Sequence, residues 1–219
     1  VGYQFGISDF TADQSIYPAP NPLVAANSKY YDPQSDIRNS YSHYLYAGVD
    51  HDFSHKLRGS LRAGGQLVDY YNVGETEISP YLDATLTYVY LPGSSLQLGA
   101  RHTRNATDVA APANKGKGRP TLDQETTAVY AQVLHRVTER FTASVLGQVQ
   151  FSSFTGGAAD QMNEALYLLG VNLEYRLNQH WSFETGYNYD MLDSDLRNGR
   201  FEARSYDRNR VYVGVRATY

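Results

Sequence analysis

Polar and apolar residues alternate with period two along most of this 219-residue chain, the pattern of strands whose two faces meet different surroundings. The alternation falls into ten segments, over residues 1–10, 40–53, 57–71, 79–91, 96–105, 125–137, 141–154, 164–177, 181–192 and 205–219. Each is about as long as a tilted bilayer-crossing strand, roughly ten residues. One face carries Leu45, Ala47 and Val49, Leu61 and Ala63, Leu82, Ala84 and Leu86, Val129, Ala131 and Val133, Leu169, Val171 and Leu173, and Val211, Val213 and Val215. The other face carries Asp50, Arg58, Arg62, Asp83, Arg101, Arg136, Glu174, Arg176, Glu184, Asp190, Arg210 and Arg216, with Gln97, Gln132, Gln148 and Gln150 among them. That second face is too polar for a protein core. A lipid-facing apolar band around a polar lumen accommodates both.

The connections between segments alternate in length. Residues 54–56, 92–95, 138–140 and 178–180 are tight, whereas 11–39, 72–78, 104–124, 155–163 and 193–204 are long. This predicts a transmembrane antiparallel up-and-down β-barrel of about ten strands, one domain over residues 1–219, with short periplasmic turns and long extracellular loops. Because a bilayer does not tolerate an open sheet edge, the first and last strands are expected to pair, through Tyr3 and Phe5 with residues 211–218.

Composition narrows the alternatives. The 20 tyrosines and 8 phenylalanines favour strands. Acids and bases are interspersed at a net charge of -4, so there is no basic face for nucleic acid. No cysteine is present, which removes disulfides and thiolate metal sites. No apolar run reaches the roughly 18 residues of a membrane helix, and the strand-like opening at Val1 reads as a mature chain whose export signal has been removed. A soluble barrel would share the alternation but not the placement of aromatics. Phe53, Tyr90, Phe141, Tyr175, Trp181 and Tyr219 lie at the short turns, and Phe151, Phe154, Tyr167, Tyr187 and Tyr189 toward the other rim. Two aromatic girdles at two membrane interfaces are the expectation.

The last residues, Tyr206 Asp207 Arg208 Asn209 Arg210 Val211 Tyr212 Val213 Gly214 Val215 Arg216 Ala217 Thr218 Tyr219, resemble the terminal assembly signal of bacterial outer-membrane barrels, in which Val211, Val213, Val215 and Tyr219 alternate to a final aromatic. With the hairpins His51 to Leu57 and Tyr175 to Trp181, this stretch is similar to the β-barrel porin type 2 family. The resemblance implies an outer-membrane location, outer-membrane lipid and the barrel-assembly machinery as partners, and an association with exopolysaccharide systems. Members of that family are longer, which leaves open a compact relative or the C-terminal part of a larger barrel.

Candidate chemistry is sparse. Glu174 is expected to face Glu184 across a hairpin, but Arg176 and Arg216 lie within reach, so ionised, paired carboxylates are favoured over an acid–base pair. Asp50, Arg58 and Arg62 form a second expected cluster, and Asp190 with Arg210 a third. Asp190, Asp193 and Asp195 lack calcium-loop spacing, and Lys115 Gly116 Lys117 Gly118 Arg119 lacks the Walker hydroxyl. His43, His51 and His55 have no carboxylate placed beside them. No convergent catalytic set, metal site or cofactor motif emerges. The sequence therefore points to a non-enzymatic, porin-like barrel with at most a narrow charged lumen. Its alternative is a structural or adhesive protein whose loops meet other surface proteins or polysaccharide. The first loop, with Tyr17 to Pro22 and Tyr30 to Pro33, separates the two: folded inward it narrows the pore, folded outward it offers a contact surface.

Overall fold

The structure is a computed structural model that describes residues 1–11, 15, 26, 28, 30–109, 120–196 and 204–218. Ten strands form one antiparallel sheet in sequence order: β1 (Gly2–Ser8), β2 (Ser40–Ser54), β3 (Leu57–Tyr70), β4 (Glu75–Leu91), β5 (Ser94–Ala106), β6 (Asp123–Arg136), β7 (Phe141–Thr155), β8 (Asn163–Arg176), β9 (Trp181–Ser194) and β10 (Tyr206–Ala217). Every neighbour pair is an up-and-down hairpin. No described helix is long and apolar enough to cross a membrane.

Side-chain chemistry closes the tight turns. Three of the four use one acceptor side chain to collect two backbone N–H groups: Ser54 Oγ from Lys56 and Leu57, Thr138 Oγ1 from Arg140 and Phe141, and Asn178 Oδ1 from His180 and Trp181. These are the Asx- and ST-turns that short polar side chains favour. The fourth relies on Gly93, at φ +79, a conformation that glycine adopts without steric cost. The turn between β3 and β4 departs from expectation. Residues 72–78 read as a long loop, but β4 begins at Glu75, and Tyr70 O accepts from both Val73 and Gly74 in a tight turn with Gly74 at φ +61.

Register puts each strand's polar residues on one face. Arg62 lies opposite Asp83, which lies opposite Arg101; Glu174 lies opposite Glu184, and Asp190 opposite Arg208. That polar face is the concave one, because the strand residues buried at the loop end, such as Gln66, Val68, Tyr70, Ser152 and Phe154, all project from it. Tyrosines lie flat over cross-strand glycines on this face: Tyr46 over Gly2, Tyr130 over Gly99 and Tyr212 over Gly186. A side chain in place of any of these glycines would occupy the space of the ring. Such aromatic cover of a bare glycine pins register and permits sharp local curvature.

Two expectations need correction. Among the described residues β1 bonds only to β2 and β10 only to β9, so the anticipated seam of Tyr3 and Phe5 with residues 211–218 is not formed. The physical reason is curvature. Alternation and hairpin register act between neighbouring strands and do not set how far the ten-stranded sheet bends. Phe154 is the second correction. Its place in the sequence groups it with Phe151 in the outer girdle, but the two lie three positions apart, so period two puts them on opposite faces, and Phe154 is buried on the concave side with Val109, Ala159 and Leu196.

Candidate functional site: a charged wall beneath a loop lid

The concave wall from mid-height down to the short turns is built from paired charges. Arg62 Nη2 lies 3.2 Å from Asp50, Arg101 Nη2 lies 2.8 Å from Asp83, and Arg216 Nη2 lies 3.2 Å from Glu184. Arg58 lies beside Asp50, as expected, but its direct ion pair is with Asp52, which shares the face of Asp50 and which the sequence reading did not single out. Asp190 takes two arginines, Arg208 at 2.6 Å and Arg210 at 3.0 Å, and is itself buried. Among the described residues no ion pair reaches Glu174, Arg176 or Arg136; Glu174 and Glu184 do face each other across the β8–β9 ladder. The arginines of this wall remain in water: the side chains of Arg58, Arg101 and Arg216 are 74%, 63% and 60% exposed. A cavity of about 460 Å³ lined by Asp50, Asp52, Arg58, Ser60, Thr85 and Thr87 opens along it.

The loop end differs. There, side chains reach across strands that are not neighbours. The β4–β5 ladder stops at Leu82 and His102, so Pro80 is the residue that would face Arg104. Proline has no N–H to donate. Gln66, on β3, supplies the missing partner: its Nε2 donates to Arg104 O at 2.7 Å and its Oε1 accepts from Arg104 N at 2.8 Å and from Thr103 Oγ1 at 3.0 Å. Arg104 then donates to Asp123 at 2.6 Å and to Glu125 at 2.7 Å, and Tyr70 Oη donates to the second oxygen of Asp123 at 2.9 Å. Asp123 is fully buried and Arg104 nearly so.

Loop residues seal this network. Tyr30 and Ile37 of the first connection pack with Val68, Tyr70, Val73 and Leu122, and Pro33 is among the most buried residues of the chain. The described part of the first loop is therefore folded inward. Arg38 Nη2 donates to Val109 O at 3.3 Å, joining the first connection to that between β5 and β6. Arg204 ties together three segments, donating to Glu164 on β8 at 2.9 Å and to Asp108 at 3.1 Å. Burial penalises the Arg204 charge, but Glu164 and Asp108 outweigh that and hold its pKa above the usual arginine range. Beneath it lies a cavity of about 210 Å³ lined by Asp108, Gln124, Gln150, Glu164, Arg204 and Tyr206 among others.

The convex face carries the apolar residues. Its mid-height groove, about 750 Å³, is lined mainly by residues of that face, Ala84, Ala100, Ala131 and Gly147 with Leu98 and Val129 among them. Near the short turns stand Phe53, Phe141, Tyr175 and Trp181, with Tyr90 stacked on His135 at 5.9 Å and bonded to it at 2.9 Å. Toward the other rim Tyr3, Phe5, His43, Tyr41 and Tyr71 form a continuous ring ladder. Val211, Val213 and Val215 are strongly exposed on the same face. Tyr219, the segments 16–25 and 110–119, and with them Tyr17 to Pro22 and Lys115 to Arg119, lie outside the described residues.

The remaining candidates do not converge. Asp190 points to the concave face while Asp193 points to the convex one, so the acidic trio is split by parity. His43 bonds to Tyr3 Oη at 2.7 Å and His51 packs edge-on against Phe53. No group of three or more metal-ligating side chains exists among the described residues.

No curated protein matches this chain. Residues 121–219, which carry β6 to β10 and the segment leading into them, match the model of the family described as Putative beta-barrel porin 2, the family already suggested by the terminal strand and the hairpins. The ten antiparallel up-and-down strands of the structure agree with a barrel of this kind, and over that stretch the chain is similar to the beta-barrel porin 2 family.

Proposed function

We propose that this protein is a non-enzymatic porin of the bacterial outer membrane, whose polar wall borders a water-filled path for small polar solutes and whose interlocked loops narrow its outer mouth. The observation that carries this reading is the contrast between the two faces. Valines and leucines stand exposed on the convex side while hydrated Arg–Asp pairs stand on the concave side. A soluble barrel would turn these faces the other way round. Lipid is then the partner of the convex face, with the aromatic rings at both rims lying at headgroup depth. The inward fold of residues 30–39 favours a narrowed pore over an outward adhesive loop.

Planar-bilayer recording tests it. The inserted wild-type protein should give small ionic steps, and the Arg204→Ala, Asp108→Ala double variant, which releases the loop latch, should give larger ones. An inserted protein without conductance in either form would leave the structural or surface-protein role as the better reading.

A further inference from the structure

Charge is balanced differently at successive levels of the concave face. Among the described residues, the pairs from mid-height to the short turns join one cation to one anion: Arg58 to Asp52, Arg62 to Asp50, Arg101 to Asp83 and Arg216 to Glu184. At the loop end the balance tips to the acids, since Arg104 and Arg204 each hold two carboxylates. Between these levels, on β9 and β10, it is reversed. There one carboxylate, Asp190, holds two arginines, Arg208 and Arg210, the one such arrangement among the described residues.

Asp190 is buried while both guanidiniums are half-exposed, so the anion lies behind and the cations in front. Its Oδ2 accepts from Arg208 Nε at 2.9 Å, Arg208 Nη2 at 2.6 Å and Arg210 Nη2 at 3.0 Å. A guanidinium carries five N–H donors. Arg208 therefore commits two and Arg210 one, and the remaining donors of both have no acceptor among the described residues. Arg208 is also steadied over the Tyr206 ring, 5.8 Å from its centroid. The two arginines stand one pleat apart on one strand, about 7 Å along it, so they repel each other, and a single carboxylate offsets only half of their charge. The flanking concave positions on β8 and β9 bring no further acid; they are Leu166, Leu168, Gly170, Asn188 and Leu192.

We propose that Arg208 and Arg210, backed by Asp190, form a binding site for an oxyanion on the pore wall, taking the phosphate or carboxylate group of a passing solute. Planar guanidiniums match the paired oxygens of such groups, and a shared carboxylate orders both forks before the solute arrives. A singly charged oxyanion brings the trio to neutrality. Chloride, being spherical, gains the charge attraction without the paired hydrogen bonds. The site deepens the porin reading by giving the path a solute class, anionic rather than merely polar, and rests on that reading for the path itself.

Inorganic phosphate is the probe. Calorimetric titration of the folded wild-type protein in phosphatidylcholine vesicles, in chloride buffer, should show saturable binding of phosphate. Acetate competing for it would mark a general oxyanion site, and phosphate binding unaffected by acetate a phosphate site; both support the proposal. The Arg208→Gln, Arg210→Gln variant should bind phosphate at least about tenfold more weakly. Arg140→Gln, which removes a cation of a short turn, should bind as the wild type does. Should the glutamine variant not fold, Arg208→Lys, Arg210→Lys keeps the charge but loses the forks, and should bind several-fold more weakly. No phosphate binding by the folded wild type, unchanged binding in the folded double variants, or an equal loss in Arg140→Gln would overturn the site. Bilayer recording of the same wild-type protein separates the two readings. Phosphate binding without conductance would count against the porin alone, and conductance without phosphate binding against the site alone.

Discussion

The same chemistry, an arginine beside an aspartate, does two different jobs at the two levels of this sheet. Below the loop end Arg101 and Asp83, or Arg216 and Glu184, join adjacent strands with the guanidinium in water. Such pairs gain little Coulomb energy in high dielectric and contribute less than about 1 kcal/mol each. At the loop end Arg104 and Asp123 meet where water is excluded, tied in turn to Tyr70, Gln66 and Glu125. There the pair cannot be opened without stranding a buried charge. The wall is thus electrostatically decorated but mechanically held by its ladder, whereas the lid is held by its charges. The porin function proposed above would call for this division, with a hydrated lining that does not collapse and a mouth that keeps its shape.

The sharpest way to break the contrast is Asp123→Ala, which leaves Arg104 buried without its main counter-ion. It should cost about 3–5 kcal/mol in urea unfolding from lipid vesicles. Val129→Arg, on the convex face at mid-height, should cost about 2–4 kcal/mol and reduce insertion yield, while Gln148→Arg on the concave face should be far milder. Equal tolerance at the two positions would reverse the assignment of faces. Gln66→Ala removes the substitute partner of the Arg104 backbone and should cost about 1–3 kcal/mol by leaving buried groups unsatisfied. Thermal unfolding of the inserted protein would register it. Smallest is Arg216→Ala, expected to change stability by less than about 1 kcal/mol. Its effect should appear in the reversal potential under a salt gradient, moved toward cations by the loss of a wall charge.

The wall was largely legible in the sequence and the lid was not. Period-two alternation and turn-forming side chains such as Asn178 and Thr138 depend on residues close in the chain, and strand limits followed from them to within a few positions. Arg101 with Asp83 and Arg216 with Glu184 were visible for the same reason, since hairpin register sets them side by side. Arg204 meets Asp108 across 96 positions, with no periodic signal to join them. Gln66 and Asp123 looked like ordinary wall residues. Pro80 was the one available clue, because a strand-breaking residue inside β4 requires some other group to satisfy Arg104. The open seam escaped for another reason: alternation specifies the faces of each strand but not how strongly the whole sheet curves.

The chain's single tryptophan gives the most direct test of the account. Trp181 starts β9 at a short turn, on the convex face and 45% exposed, which places it at headgroup depth if that face meets lipid. Fluorescence of the wild-type protein in vesicles of phosphatidylcholine brominated at defined positions along the acyl chain would locate it. The account requires clear quenching that is strongest for bromines nearest the headgroup and weakens toward the chain end. Emission untouched by every brominated lipid would contradict it, since Trp181 would then face water or protein and the apolar face could not be the membrane surface.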